Sequence, residues 1–259
     1  MNFEVNNQIY RELGEKWYSA DDDPIALLRA ENRFRLSWLK SEFQNLSPLR
    51  ILDVGCGAGL LSNPLALEGH KVWGIDQAEE ALAIARQYDS TKQVQYSTGQ
   101  AEALPFADGS FDVVCCFDVL EHVKSPLAVV KECSRVLKPG GKFYFFTFNR
   151  TALSYLFGIK ALEWFLKNTP SHLHVYQMFI RPHELEEMCL SSGMKVDSVS
   201  GFGPRILQPG IWQLIFNGRV NPDFKFELKR SKAVSYLGKA TRLAALSKPK
   251  ARSEMRPEA

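Results

Sequence analysis

The chain has 259 residues, of which 45% are hydrophobic and 12% aromatic, and this is ample for one well-packed core. Because chains usually split into several domains only beyond roughly 250–300 residues, we expect a single domain over residues 1–246. The net charge of +3, with 24% charged residues, is close to average and gives no sign of nucleic-acid binding.

The cysteine pattern points to a reducing compartment. The five cysteines are odd in number and form no CxxC pair; they are Cys56, Cys115, Cys116, Cys133 and Cys189. We therefore expect free thiols in a cytoplasmic protein. The N-terminus shows no export signal, and no apolar run reaches the roughly 18 residues needed to span a bilayer.

The chain order of the elements predicts an α/β fold. Residues 1–48 carry two helical patterns, at 6–13 and 25–43. Five buried strands then alternate with helices; the strands are expected at 50–54, 71–76, 93–97, 111–117 and 142–148, and the helices at 60–67, 78–88 and 127–137. This alternation over residues 49–149 predicts a doubly wound, mostly parallel sheet with helices on both faces.

The second half of the chain is less regular. Residues 150–246 begin with an apolar helical insertion after the fifth strand, and a further helix is expected at 182–191. Residues 247–259 are rich in charge, proline and alanine, which predicts a flexible tail.

The strongest motif follows the first strand. Leu-Asp-Val-Gly-Cys-Gly-Ala-Gly at 52–59 places Gly55, Gly57 and Gly59 in a turn before a helix, and Asp76 ends the second strand. Glycine lets a ligand approach the backbone closely, and a carboxylate at that strand end can accept hydrogen bonds from both hydroxyls of a ribose. The GxGxG spacing, with Leu60 in the sixth place, favours S-adenosylmethionine over a dinucleotide, whose motif is GxGxxG. Residues 100–106 after the third strand could contact the adenine edge and face.

Three polar residues follow the fourth strand, at the rim where open α/β sheets bind ligands. Asp118, Glu121 and His122 allow three interpretations. His122 could be a general base. Alternatively, the three could hold a divalent cation that grips a catechol, or the histidine could only cap or pack the helix that follows.

Several of these motifs resemble those of class I S-adenosylmethionine-dependent methyltransferases. The resemblance over 49–148 rests on LDVGCGAG, GID, AEALPF, FDVVCCFDVLEHV and LKPGG. Within that superfamily, DVLEHV at 118–123 looks like the quinone-biosynthesis O-methyltransferases, as do 33–36, 146–150 and 174–182. The resemblance covers about 17–203 and implies a Rossmann-like fold with S-adenosylmethionine as methyl donor.

The resemblance also implies site residues. Arg35 would form a salt bridge with the methionine carboxylate, and Gly55, Asp76 and Phe117 would contact the donor. The full predicted cofactor set is Arg35, Asp53, Gly55, Gly57, Gly59, Asp76, Gln77, Ala101, Glu102 and Phe117. For the chemistry, His122 and Glu121 are the catalytic candidates, and the family implies Mg²⁺ held by Asp118, Glu121 and His122. At the first position of this trio the family commonly has glutamate, whereas this chain has Asp118.

The acceptor implied by the resemblance is a lipophilic phenol that resides in the bilayer, such as a polyprenylated quinone precursor. Residues 151–166 are either a buried amphipathic helix or a helix resting in a membrane interface, with Lys160 and Lys167 near headgroups. His172 and His174 follow and could line the acceptor pocket. The enzyme would then work in the cytoplasm at the inner face of the membrane, in a biosynthetic complex.

Two other functions fit the same motifs: a methyltransferase of another small-molecule acceptor, and a catalytically silent scaffold that binds S-adenosylmethionine. Residues 21–28 and the chain after Gly203 depart from the family pattern. Both regions would shape the acceptor pocket, so the sequence leaves the individual acceptor open.

Overall fold

A computed structural model describes residues 5–44, 46, 48–170 and 172–244. Over this part of the chain, eight strands form one sheet. They are β1 (Arg50–Val54), β2 (Lys71–Asp76), β3 (Gln95–Thr98), β4 (Phe111–Phe117), β5 (Leu137–Phe148), β6 (Met194–Pro204), β7 (Phe226–Lys229) and β8 (Ser235–Arg242). Their spatial order is β3-β2-β1-β4-β5-β8-β6-β7.

The first five strands are parallel, which confirms the predicted mostly parallel sheet. Val54 of β1 pairs with Ile75 on one side and with Cys116 of β4 on the other. The last three strands were not predicted: β8 runs antiparallel between β5 and β6, and β7 pairs antiparallel with β6. The Lys-Pro-Gly-Gly stretch at 138–141 lies inside β5, where Gly140 has a φ of +79° and the β4–β5 register shifts.

Ten α-helices surround the sheet in the described ranges. They are α1 (Ile9–Glu12), α2 (Lys16–Ser19), α3 (Pro24–Glu42), α4 (Ser62–Leu67), α5 (Glu79–Tyr88), α6 (Pro126–Val136), α7 (Ala152–Tyr155), α8 (Ala161–Phe165), α9 (Pro182–Ser191) and α10 (Pro209–Asn217). Asp23 caps α3 by accepting a hydrogen bond from the Ala26 N–H, and Pro24 occupies its first turn, where a missing N–H costs nothing.

Both faces of the sheet are covered, as the doubly wound prediction requires. Alternate residues of one strand point to opposite faces, and so Leu52 packs in the cluster with α6 and α9 while Ile51 packs with α3 and α4. In the same way, Cys116 packs on the face with α6 and α9, and Cys115 packs on the face with α3 and α4. All five cysteines are buried free thiols, in agreement with the sequence.

The helical insertion predicted after β5 is present. A π-helix at Leu156–Lys160 joins α7 to α8 and makes one continuous helical segment. Large apolar side chains on this segment remain exposed, among them Phe157 and Trp164 at 54% and 64%, so the segment is not simply a buried core helix. Within the described ranges, no helix combines the length and apolar character needed to cross a membrane. The predicted tail at 247–259 lies outside the described residues.

Candidate active site

A cavity of about 710 Å³ opens at the carboxyl ends of β1, β2 and β4, and we call it the rim cavity. It lies where parallel α/β sheets place their ligands, and its size suits a small-molecule ligand. Eight of the ten predicted cofactor residues line it: Arg35, Asp53, Gly55, Gly57, Asp76, Gln77, Ala101 and Phe117. The other two, Gly59 and Glu102, do not line it.

The glycine loop folds over the strand ends as predicted. The Gly55 N–H donates to the Ile75 carbonyl at 2.8 Å, which fixes the loop on β2. Gly57 has a φ of +50°, and a Cβ there would lie 2.8 Å from the Trp17 ring. Gly59 is required for a different reason, because a side chain there would strike Tyr96 away from the cavity. Its assignment as a cofactor contact is therefore not supported by its position.

Asp76 is held by the loop that it faces. Its Oδ2 accepts from the Gly57 N–H at 2.8 Å and its Oδ1 accepts from the Ala78 N–H at 2.9 Å. Each carboxylate oxygen still has acceptor capacity for a ligand hydroxyl. Burial raises the pKa of Asp76, and these two backbone donors act against that shift. The arrangement can bind a ribose diol at the position that the sequence predicts.

Asp53 lies deeper in the cavity wall. Its carboxylate accepts from the Ser62 hydroxyl at 2.6 Å, and burial raises its pKa to about 7. Ala101 and Ile75 add apolar surface on the β2–β3 side of the cavity. Asp53 thus binds the first residue of α4 and also lines the cavity. Its bond to Ser62 helps to hold the glycine loop between β1 and α4 in place.

Arg35 contacts carboxylates of the protein. Its Nη1 and Nη2 donate to Asp118 at 2.5 and 3.1 Å, and Nη2 also donates to Glu31 at 2.8 Å. The guanidinium lies over the Phe117 and Phe146 rings, 5.1 and 4.6 Å from their centroids. Its Nε is buried and has no partner among the described residues. The predicted salt bridge to a methionine carboxylate thus competes with an ion pair already present.

Glu121 is displaced from the role predicted for it. It is 1% exposed and does not line the rim cavity. Its Oε2 accepts from the Thr147 hydroxyl at 2.9 Å, and its Oε1 is buried without a partner in the described part of the chain. Burial raises the pKa of Glu121, and the nearby Asp118 charge raises it further. The Glu121 carboxyl is thus buried next to the site, outside the residues that line the cavity.

His122 lies at the rim cavity, as Asp118 does. It lines the rim cavity beside Val119 and Val123. Its Nδ1 lies 3.2 Å from Asn7 Oδ1, and its Nε2 has no partner within the described ranges. Burial lowers the pKa of His122 to about 3, so the imidazole is neutral at physiological pH.

The three predicted metal ligands do not converge in this arrangement. Asp118 has a φ of +56° and turns its carboxylate onto Arg35, while Glu121 turns to Thr147 and His122 to Asn7. No group of three His, Cys, Asp or Glu side chains among the described residues could hold a metal ion. The ligand set that the resemblance implies for Mg²⁺ is therefore not assembled, because each of its three members contacts a different partner.

The N-terminal helices supply a wall of the cavity that the sequence did not predict. Tyr10 and Trp17 stack with ring centroids 5.9 Å apart, and Tyr10 meets the His122 ring edge-on at 5.9 Å. Trp17 also packs against the glycine loop. Only the concentration of aromatic residues ahead of α3 could have signalled this role.

An aromatic cluster connects His122 to the helical insertion. His174 lies 5.6 Å from His122 and 4.6 Å from Phe148, measured between ring centroids. Its Nδ1 lies 2.9 Å from the carbonyl oxygen of Gly158 in the π-helix. Of the two loop histidines considered from sequence, His174 therefore lies beside the site, while His172 is exposed.

Comparison with known proteins agrees with this architecture. Residues 52–145 match the family model described as a methyltransferase domain. Magnesium protoporphyrin IX methyltransferase from Synechocystis PCC 6803, solved with bound SAH, superposes with a TM-score of 0.62 at 18% identity, over 92% of this chain and all of that one. That likeness shows the fold of a class I methyltransferase.

Several relatives with higher sequence identity to this chain are named ubiquinone biosynthesis O-methyltransferase. The ubiquinone biosynthesis O-methyltransferase of Thiobacillus denitrificans is 40% identical over 195 residues, which is 74% of this chain and 83% of that protein. The protein of the same name from Azotobacter vinelandii is 38% identical with the same coverage. The chain belongs to the ubiquinone biosynthesis O-methyltransferase family.

Proposed function

We propose that this protein transfers a methyl group from S-adenosylmethionine to a phenolic oxygen of a lipophilic, polyprenylated ubiquinone precursor. One observation carries the proposal: the rim cavity joins the Asp76 loop and the His122 imidazole in a single space. The names of the curated relatives support the choice of acceptor.

The chain's own groups fit the methyl donor. Asp76 would accept from the ribose hydroxyls, with the backbone of Gly55 and Gly57 against the amino-acid portion and Gln77 and Ala101 at the adenine. The unpartnered Nε of Arg35 remains available to the methionine carboxylate. When bound, S-adenosylmethionine supplies an electrophilic methyl group on a cationic sulfur.

His122 would accept the acceptor's proton. His122 lines the cavity, and its Nε2 is buried without a partner among the described residues. A phenol must lose its proton as its oxygen attacks. The low pKa that burial gives His122 keeps the ring neutral, with one of its two nitrogens unprotonated, before the reaction. The site otherwise acts by holding the acceptor oxygen in line and excluding water. No step of this mechanism uses a metal.

Contact with the membrane would bring the acceptor to the site. Exposed apolar side chains on the helical insertion adjoin others on α10 and the turn before it, since α8 and α10 pack together through Leu162, Leu166 and Leu214. We call this the outer apolar surface; it comprises Phe157, Trp164, Leu207, Trp212 and Phe216, all more than half exposed. Aromatic side chains with flanking cations favour a membrane interface.

Two features support the membrane as the partner of this surface. Arg205 and Arg219 flank α10, and Lys167 follows α8, as expected beside anionic headgroups. The π-helix within the surface contacts His174, which in turn contacts His122. A prenyl chain held at the surface would thus end near the base. Placement at the inner face of the membrane and membership of a biosynthetic complex stay predictions.

The test is a methylation assay on the full-length chain. Purified protein with S-adenosylmethionine should methylate a short-chain prenylated catechol, with the methyl ether identified by mass spectrometry, and Asp76→Ala should lose this product. A simple water-soluble catechol should react more slowly. Absence of product from every prenylated catechol, with S-adenosylmethionine binding intact, would refute the proposed acceptor.

A further inference from the structure

Asn32 on α3 is a polar side chain at the rim cavity that the rest of the described chain leaves unpartnered. Leu28, Asn32 and Arg35 follow one another at helical spacing, and all three line the cavity. Asn32 is half-buried, and its amide has no hydrogen-bond partner within the described ranges. Neither amide atom is sealed off from solvent. Its donor and its acceptor are therefore both open to a molecule in the cavity.

The helix itself gives no reason for an asparagine at this position. Asn32 lies in the interior of Pro24–Glu42, where asparagine is a poorer helix former than alanine. An asparagine inside a helix commonly points to open solvent or bonds to a nearby backbone group. Asn32 instead faces the cavity and makes no such bond in the described part of the chain. A residue that conflicts with its local structure in this way is a candidate for binding.

The place of Asn32 on α3 is opposite the part of the cavity that the proposed function gives to the methionine portion of the donor. On one side of Asn32, Leu28 packs in the cluster that contains Trp17, and the Trp17 ring lies against Gly57 of the glycine loop. On the other side, Arg35 is bonded to the residue that follows β4. Asn32 thus lies between the glycine loop and the end of β4.

An amino-acid ligand needs more polar partners at this place than Arg35 leaves free. Both terminal nitrogens of Arg35 donate to Asp118 or Glu31, and its Nε is the nitrogen without a partner among the described residues. An α-amino acid carries a carboxylate, which only accepts, beside an ammonium, which only donates. A side-chain amide has one donor and one acceptor on neighbouring atoms, so it can bind both groups at once.

We infer that Asn32 binds the α-amino-acid end of S-adenosylmethionine, with Nδ2 donating to the carboxylate and Oδ1 accepting from the ammonium. The inference rests on the proposed function, because that function places the methionine portion against Gly55 and Gly57. Asn32 then distinguishes the complete donor from nucleosides that lack the amino acid. Since the amide is neutral, it adds this recognition without a further charge beside the ion pair of Arg35 and Asp118.

Calorimetric titration of the full-length protein with three ligands tests the inference without requiring turnover. S-adenosylhomocysteine carries the complete amino acid, decarboxylated S-adenosylmethionine keeps only the ammonium, and 5′-methylthioadenosine carries neither group. Asn32→Ala should weaken binding of S-adenosylhomocysteine about 10- to 100-fold, because two hydrogen bonds to charged groups are lost, and should leave binding of 5′-methylthioadenosine within about twofold. Asn32→Asp should also weaken binding of S-adenosylhomocysteine, because the two carboxylates repel, yet it should bind the decarboxylated ligand at least as tightly as the wild type.

Two further variants separate recognition of the amino acid from other effects. Ser37→Ala, on the exposed side of the same helix, is the matched control and should bind all three ligands like the wild type. Asp76→Ala should weaken binding of S-adenosylhomocysteine and 5′-methylthioadenosine alike, since both carry the ribose. Asn32→Ala should keep or raise the melting temperature, because alanine favours the helix, and a loss of affinity in this variant would then not reflect a damaged fold.

The outcomes for the inference and for the proposed function are distinct. Unchanged affinity of Asn32→Ala for S-adenosylhomocysteine, or an equal loss for S-adenosylhomocysteine and 5′-methylthioadenosine, would overturn the inference. If Asp76→Ala still weakened both ligands, the donor site of the proposed function would stand. The expected pattern of affinities in a protein that methylates no prenylated catechol would uphold Asn32 as a donor contact and refute the proposed acceptor.

Discussion

Arg35 and Asp118 form a bidentate salt bridge between α3 and the end of β4, with donor–acceptor distances of 2.5 and 3.1 Å. Arg35 is 1% exposed and is also bonded to Glu31. Asp118 adopts a φ of +56° to reach it, a conformation that aspartate tolerates better than most residues. The pair fixes the N-terminal helices on the rim of the sheet and uses the carboxylate that would otherwise be free for a metal.

The first prediction concerns stability. Asp118→Ala leaves a buried guanidinium with only Glu31 as an ionic partner, and breaking a buried pair is strongly destabilising. We expect the free energy of unfolding, measured by chemical denaturation, to fall by about 3 kcal/mol. Asp108→Ala removes the exposed partner of Arg135 and should cost under about 1 kcal/mol. Equal losses in the two variants would contradict the structural role of the Arg35 pair.

The second prediction concerns metal removal. Because Asp118, Glu121 and His122 each face a different partner, exhaustive chelation should leave the initial rate of methyl transfer within about twofold. The measurement is the rate before and after EDTA treatment, with added Mg²⁺ as the control. A rate that collapses on chelation and returns with Mg²⁺ would mean that these side chains rearrange around a cation when the acceptor binds.

The sequence predicts the parallel half of the sheet well, for a physical reason. The strands β1, β2 and β4 are buried on both faces and read as continuous apolar runs, so their observed bounds match the predicted ones. The edge strand β3 is half exposed and starts two residues later than expected. The antiparallel strands are harder: β6 carries Asp197, Gly201 and Gly203, whose exposure and flexibility hide the strand pattern.

The residues of the candidate site also differ in how far they could be predicted from the sequence. The glycine loop and Asp76 could be predicted because their geometry is set locally by a strand, a turn and a helix. The partners of Arg35 and His122 could not, since Asp118 and Asn7 are 83 and 115 residues away in sequence. The resemblance implied a methionine-carboxylate contact for Arg35 and a metal at Asp118. Tertiary packing brings these two side chains into an ion pair.

The third prediction concerns cofactor affinity. Asp76→Ala removes both oxygens that would bind the ribose hydroxyls and also releases the Gly57 N–H. Two bonds to a charged acceptor correspond to at least about a 100-fold loss of affinity, which calorimetric titration with S-adenosylhomocysteine would measure. Asp197→Ala, on the far side of the sheet beside Lys142, should bind like the wild type. Unchanged affinity in Asp76→Ala would displace the ribose from this position.

The fourth prediction is a pH dependence. The pKa of His122 is about 3 in the folded protein and 6.5 ordinarily, so its contribution to stability is complete above pH 6.5 and is lost as the pH falls from 6.5 toward 3. At pH 5 the lost contribution is roughly 2 kcal/mol. His122→Gln should therefore lose roughly 2 kcal/mol less than the wild type between pH 7.5 and 5, measured by chemical denaturation at both pH values. The control is His183→Gln, a substitution at an exposed site. Identical pH profiles of stability for His122→Gln and the wild type would show that the His122 imidazole is not protected from protonation.

The fifth prediction concerns the outer apolar surface. Trp212 and Phe216 stack on α10 with centroids 5.9 Å apart and are 62% and 75% exposed. Partial burial of each ring in a membrane interface is worth about 1 kcal/mol, so replacing both with serine should weaken binding to anionic phospholipid vesicles about tenfold or more, as measured by co-sedimentation. Leu67 and Leu190 are similarly exposed on α4 and α9, and their double serine variant serves as the matched control because it removes apolar area elsewhere. Equal vesicle binding by the two double variants would show that α10 does not face lipid, whereas loss confined to the α10 variant, with activity on a water-soluble catechol retained, would assign this surface to the delivery of the acceptor.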